Sequence, residues 1–179
     1  MQSINPIQKI LVFRLSSIGD IILTSALIRC LRNTFPSAQI DFVIKKQFIQ
    51  LVEHNPHINN VYVVDKNEGF AGLKRLKQTI AHNKYDVFLD IHKNMRSMFI
   101  KTGSGANTVL TFKKRVLKRT LLTAFGIDTF KTITPTYMKY IEAAKSIGVS
   151  YDGNGTEIFI PQKDIISVQQ ILQEHAITK

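Results

Sequence analysis

The 179-residue sequence predicts an α/β protein, a doubly wound, mostly parallel sheet with helices packed on both faces. Three observations carry that expectation. Short β-rich apolar runs alternate with helical stripes along most of the chain. Two of these runs, Ile10 to Leu15 and Tyr85 to Ile91, are apolar at nearly every position, as strands buried on both faces must be. The first run also passes through Ser16, Ser17 and Gly19 directly into a helical stripe. Such a strand-turn-helix unit places its turn at the carboxyl edge of a parallel sheet, where ligands bind.

Ile10 to Leu15 is broken only by Arg14, whose charge would be costly in a buried strand unless it reaches a cleft or pairs with a carboxylate. From Ile21 apolar residues recur at helical spacing through Leu31. Gln39 to Ile44 reads as a second strand and Lys46 to Glu53 as a short helix. Asn59 to Val64 is a third strand, because Val61, Tyr62, Val63 and Val64 are all strand formers. Asn67-Glu68-Gly69 is a turn, and Leu73, Leu76, Ile80 and Ala81 form a helical stripe backed by Lys and Arg. After the strand Tyr85 to Ile91, His92 to Lys101 reads as a helix and Asn107 to Phe112 as a fifth strand. Arg115 to Phe125 and Pro135 to Ile147 read as helices closed by Gly126 and Gly148. Thr156 to Ile160 is a late strand, and Ile165, Val168, Ile171 and Leu172 make a last amphipathic stripe.

Composition narrows the partners. A hydrophobic content of 44% at this length suits one core and one domain. No apolar run approaches the ~20 residues that span a bilayer. Met1 to Gln8 is polar and leads straight into a strand, which argues against a secretory signal. The lone Cys30 falls on the apolar side of the first helix, so a buried structural thiol in a reducing cytoplasm is expected. The formal net charge of +11 calls for an anionic partner. Basic residues crowd from Lys93 through Arg96, Lys101, Lys113, Lys114, Arg115, Lys118 and Arg119 to Lys131. Any one of them is most simply a solvated helix residue, whereas the cluster suits phosphates of a nucleic acid, an anionic lipid or a phosphorylated sugar. Aromatic stacking residues do not interleave it and no recognition helix accompanies it, which makes nucleic acid the weaker candidate.

The turn after the first strand lacks both a three-glycine dinucleotide fingerprint and a Gly-Lys-Ser/Thr loop, so a nucleotide pyrophosphate is not expected there. Its carboxylate, Asp20, stands in the pattern Ser17-x-x-Asp20, an acidic capping box favoured by the helix dipole. A carboxylate held ionised in this way can also accept a proton, provided desolvation raises its basicity. Ser16 and Ser17 can serve as turn and cap residues, or can bind a hydroxyl or phosphate at the positive helix end. Leu89-Asp-Ile-His-Lys-Asn-Met-Arg-Ser97 ends the second buried strand at the same edge. There Arg96 is suited to a bidentate contact with a carboxylate or phosphate, and Asp90 to orienting neighbours or capping the next helix. His92 beside Asp90 supplies too few ligands for a metal centre. Gly103-Ser-Gly105 opens a strand rather than coming after one, so it is not a phosphate cradle. Lys113, Lys114 and Arg115 extend the anionic site or simply solvate a helix start.

Phe13-Arg-Leu-Ser-Ser-Ile-Gly-Asp-Ile-Ile-Leu-Thr24, with Leu31-Arg-Asn-Thr-Phe-Pro36 and Ile40-Asp-Phe-Val-Ile44 after it, resembles the amino-terminal domain of family 9 glycosyltransferases, the lipopolysaccharide heptosyltransferases and their relatives. The likeness is strong from Lys9 to Asp65, good from Tyr85 to Ser97 and loose thereafter. Asp90, Arg96 and Ser97 match the family's Asp-x-Gln-Gly-x-x-Arg-Ser segment, with His92-Lys93-Asn94 replacing its Gln-Gly pair. Thr134-Pro135 stands where the family often has a His.

The resemblance implies the Rossmann-like amino-terminal half of a GT-B glycosyltransferase. Residues 1–161 would be an acceptor-binding domain and 162–179 a linker helix toward a donor-binding domain that has no counterpart in these residues. Asp20 would be the general base. Ser16, Ser17, Gly19, Lys93, Arg96, Lys113 and Arg115 would bind the acceptor, an anionic glycan of the lipopolysaccharide core type. No metal or cofactor is implied. The donor would be a nucleotide sugar such as ADP-heptose, held mainly by the second domain, and the setting the cytoplasm or its face of the inner membrane, whose surface the protein would touch peripherally. Two other readings stay open: a non-catalytic module that binds anionic glycans, and an unrelated nucleotide-binding domain.

Overall fold

A computed structural model of the chain describes residues 6–112 and 134–174. Its centre is a five-stranded parallel sheet in the order β3-β2-β1-β4-β5. The strands are β1 (Lys9–Phe13), β2 (Gln39–Lys45), β3 (Asn60–Val64), β4 (Val87–Asp90) and β5 (Thr108–Thr111). Chain order runs outward from β1 to β3, then returns to the other side of β1 for β4, which makes the edge between β1 and β4 the switch point. The doubly wound α/β expectation therefore holds.

Alternate residues of each central strand serve two different layers, as the period of two requires. Ile10 and Val12 of β1, Ile40 and Phe42 of β2, and Val87 and Leu89 of β4 pack against α1 (Ile18–Thr34) through Leu27, Ile28 and Leu31. Tyr140 and Ile141 of α4 (Thr136–Ala143) join this layer. Leu11 and Phe13, Val43 and Phe88 point the other way, onto Leu73, Leu76 and Ile80 of α2 (Gly69–Asn83) and Ile100 of α3 (Met95–Lys101). Cys30 is buried in the α1 layer, and burial pushes its thiol up, as a structural role requires.

The structure departs from the sequence expectations at four places. Thr156 to Ile160 is not a strand: among the described residues it pairs with no strand, and it lies against α1, where the Glu157 amide donates to Ser25 Oγ at 2.8 Å. A segment of alternating pattern needs a free sheet edge to become a strand, and α1 satisfies this one instead. Residues His92 to Asn94 are not helical; α3 begins only at Met95, because Asp90 Oδ1 holds the amides of His92 (3.1 Å) and Lys93 (2.7 Å) in a turn. Asn94 then caps α3, accepting the Ser97 amide at 2.9 Å. Helix α1 starts three residues earlier than its apolar stripe, at Ile18, as the cap at Ser17 dictates. Lys46–Leu51 is a 3-10 helix rather than an α-helix. The expected helix Arg115 to Phe125, and the candidate residues Lys113 and Arg115, lie outside the described residues.

The last helix, α5 (Gln162–Glu174), has no buried residue. Among the described residues no helix is long and apolar enough to cross a membrane.

Candidate functional site

The turn from β1 into α1 brings four side chains together at the carboxyl edge of the sheet. Arg14 leaves the end of β1 buried, 6% exposed, and donates from Nη1 to the Ile91 carbonyl at 2.5 Å. Its Nη2 forms an ion pair with Asp20 Oδ2. The charge that looked misplaced in a buried strand thus has its carboxylate six positions on, in the first turn of the helix that the strand feeds. Tyr140, reaching over from α4, donates its hydroxyl to Asp20 Oδ1 at 3.1 Å, and the Arg14 guanidinium sits 5.5 Å from the centre of the Tyr140 ring.

Ser17 completes the set as N-cap of α1. Its hydroxyl donates to Asp20 Oδ2 at 3.1 Å and its amide at 3.5 Å, the reciprocal half of the expected capping box. Asp20 is therefore both a cap and something more. Partial burial works to raise its pKa, but the Arg14 charge and then the hydrogen bonds from Tyr140 and Ser17 prevail and hold it below the usual carboxylate range. The two oxygens differ. Oδ2 meets Arg14 and Ser17, whereas Oδ1 meets Tyr140. With its side chain 35% exposed, the carboxylate can offer an Oδ1 lone pair to a hydroxyl arriving from solvent.

Gly19 lies in the exposed first turn of α1, where a Cβ would meet nothing within 4 Å, so the approach to Asp20 is open backbone. Ser16 is half-buried between Leu15 and the cap. Across the switch point, Asp90 ties its turn together by accepting the Ser97 hydroxyl at 2.8 Å on its second oxygen. Lys93 is exposed on that turn, with a left-handed φ of 52°. Asp90 therefore orients the loop, while Asn94 supplies the helix cap.

Arg96 does not join Asp20. It points to the opposite side of the edge, into a cavity of about 300 Å³ that it lines with Lys45, Lys66, Phe70 and Leu73. Lys45 ends β2 and Lys66 comes just after β3, so the sheet brings cations from three separate segments into one concavity. Asp65 also lines it, and its carboxylate is taken by Lys46 at 2.8 Å. Lys45 and Lys66 carry no signal in the sequence because neither sits in the basic run beyond Lys93. Tyr140 carries none because nothing in a helical stripe distinguishes a tyrosine that packs from one that donates to a partner 120 residues away. Among the described residues no three His, Cys, Asp or Glu side chains are grouped to hold a metal ion.

Replacing Tyr140 with Phe tests the electrostatic description. Losing the donated hydrogen bond raises the pKa of Asp20, so an activity that needs the ionised form should fail at a higher pH than in the parent. The acid limb of a pH–rate profile should move upward while the alkaline limb stays in place. An unmoved acid limb would mean that Tyr140 does not tune Asp20.

Comparison with known proteins defines the class first. The structure matches a glycosyl transferase family 9 protein from Veillonella parvula with a TM-score of 0.76 and 24% identity, covering 96% of this chain and 50% of that one. It matches the Escherichia coli ADP-heptose lipopolysaccharide heptosyltransferase II with a TM-score of 0.67 and 16% identity, over 92% of this chain and 50% of that one. The fold is thus that of half a GT-B heptosyltransferase structure. In sequence, the chain is 30% identical over 78 residues to lipopolysaccharide heptosyltransferase 3 of Escherichia coli, 41% of this chain and 23% of that protein. No protein-family model matches. The chain is accordingly related to glycosyltransferase family 9 and the lipopolysaccharide heptosyltransferases, and spans about half the length of the solved structures it matches.

Proposed function

We propose that this chain is the acceptor-binding part of a sugar transferase acting on an anionic glycan of the lipopolysaccharide core type, with ADP-heptose as donor. Residues 1–161 would bind the acceptor and the segment from 162 onward would lead to a donor-binding lobe of the kind that fills the other half of the related structures. The observation that carries the reading is Asp20. It is a carboxylate kept ionised at the switch edge of the sheet, with its side chain 35% exposed and Tyr140 donating to Oδ1.

In the proposed reaction an acceptor hydroxyl donates its hydrogen bond to Asp20 Oδ1. Asp20 takes the proton as the hydroxyl oxygen attacks the anomeric carbon and the nucleoside diphosphate leaves with the bonding electrons. A carboxylate with a depressed pKa is a weak base in open water. Closure of a second lobe over the edge would remove water and raise its basicity. The first turn of α1, open at Gly19 and bearing Ser16 and Ser17, would hold the sugar bearing that hydroxyl. Arg96, with Lys45 and Lys66, would receive a phosphate or carboxylate of the same acceptor. Lys93, Lys113 and Arg115 would add to the attraction.

Transfer of heptose from ADP-heptose to a deacylated lipopolysaccharide core tests the proposal. Residues 1–179 alone should bind the acceptor and give no product, and a polypeptide carrying both lobes should turn over. Acceptor binding should weaken steeply with salt, because exposed charges are screened over ~10 Å at 0.1 M. Arg96→Ala should weaken it by a further ~1.5–3 kcal/mol, the size of a charged hydrogen bond, as read by calorimetry. Salt-independent binding of a neutral sugar would count against an anionic acceptor.

A further inference from the structure

We propose that Asn154–Gly155 is a deamidation site kept closed by Arg29 and Tyr151, so that the segment between α4 and α5 is chemically altered only when it lifts from α1. Asn154 is the one asparagine in the sequence followed by glycine. That pairing favours cyclisation of an asparagine side chain onto the backbone, because glycine has no Cβ to hinder attack by its own amide nitrogen. Asn154 is also exposed and lies outside any helix or strand.

The fold nevertheless holds the groups that the reaction must move. The Gly155 N–H, which has to give up its proton, donates to the Tyr151 hydroxyl at 2.8 Å. The Gly155 carbonyl accepts from Arg29 Nη2 at 2.8 Å, with Gly155 at a left-handed φ of 58°. The Asn154 amide donates to Asp152 Oδ1 at 3.1 Å, and its side chain hydrogen-bonds the same carboxylate. Arg29 grips that carboxylate in turn, through Nε at 2.6 Å and Nη2 at 3.0 Å. The nitrogen and the side-chain carbon it would attack are therefore fixed on both sides of the same peptide. Local opening, and not exposure, then sets the rate.

Once the segment is released, the deprotonated Gly155 nitrogen attacks Asn154 Cγ. A C–N bond forms, the Cγ–Nδ2 bond breaks, and Nδ2 leaves as ammonia with a proton equivalent to the one Gly155 gave up. Water opens the resulting succinimide at either carbonyl, giving aspartate or an isoaspartate that adds a methylene to the backbone. Loss of ammonia makes the change one-way. The new carboxylate stands beside Asp152 as a like charge competing for Arg29. The proposal is independent of the transferase reading, since it requires neither a sugar nor a second lobe.

Incubating the chain in mildly alkaline buffer, then mapping its peptides by mass spectrometry with enzymatic methylation of isoaspartate, tests it. Residue 154 should convert at least ~10-fold more slowly in the folded chain than in urea. Tyr151→Phe keeps the ring that packs 5.6 Å from Tyr137 but removes the acceptor for the Gly155 N–H, and should speed conversion about 5-fold, the weight of one hydrogen bond. Arg29→Ala should speed it at least ~10-fold, because charged hydrogen bonds are lost. Circular dichroism checks that both variants are folded, and should Arg29→Ala unfold, Tyr151→Phe decides alone. Conversion in the folded parent as fast as in urea, or a folded variant converting at the parental rate, would overturn the proposal.

Discussion

Asp20→Asn, in a polypeptide carrying both lobes, is expected to lower turnover at least ~100-fold while acceptor affinity is retained, because loss of a general base costs 10²–10⁴-fold in rate. Asparagine keeps the shape of the side chain and one carbonyl oxygen, which can accept from Ser17 or from Tyr140 but not from both, and it cannot take the proton. The variant also leaves the buried Arg14 guanidinium without its carboxylate, with the Ile91 carbonyl and the Tyr140 ring remaining. A fully buried pair broken in this way costs 3–5 kcal/mol; because the Asp20 side chain is 35% exposed, about 1–2 kcal/mol is expected here. Thermal denaturation should therefore show a modest fall of several degrees. A variant that melts early and keeps its rate would reduce Asp20 to a helix cap and counter-ion for Arg14.

Arg29→Ala is expected to give the largest loss of stability. Arg29, 9% exposed on α1, holds Asp152 through Nε at 2.6 Å and Nη2 at 3.0 Å, the Gly155 carbonyl at 2.8 Å and Glu157 at 2.9 Å. It thereby ties the stretch between α4 and α5 to the first helix. Removing it takes the guanidinium from two carboxylates that are 15% and 25% exposed and leaves Asp152 only N–H groups of Asn33 and Asn154, so about 3 kcal/mol should be lost from urea unfolding. That is a large share of the 5–15 kcal/mol typical of a domain.

The same pair sets a pH dependence. The Arg29 hydrogen bonds hold Asp152 down at about 2, below its ordinary value near 3.8. A depressed carboxylate stabilises the fold fully above its unfolded pKa and loses that contribution as pH falls through the folded one. About 2 kcal/mol should thus disappear between pH ~4 and ~2 in the parent, and not in Arg29→Ala. Parallel acid denaturation of the two proteins would contradict this account.

The fold was legible in the sequence because the signals are local. A strand buried on both faces must be apolar throughout, a helix must repeat its apolar stripe, and Ser17 with Asp20 must cap the helix they open. The order of elements and the sheet edge bearing Asp20 could therefore be read from neighbouring residues. The oddity of Arg14 was legible too, since a charge in such a strand needs a partner. Hidden from the sequence is which groups distant in the chain converge. Tyr140 reaches Asp20, Lys45 and Lys66 join Arg96, and Asp152 meets Arg29 only after the sheet order and helix packing have set the distances. Thr156 to Ile160 shows the same limit from the other side: its pattern allows a strand, and in the fold it lies instead on α1, where Ser25 and Arg29 take its polar groups. Local propensity and capping are properties of a few adjacent residues, whereas a site is a property of three-dimensional proximity, and that was decided by the tertiary structure alone.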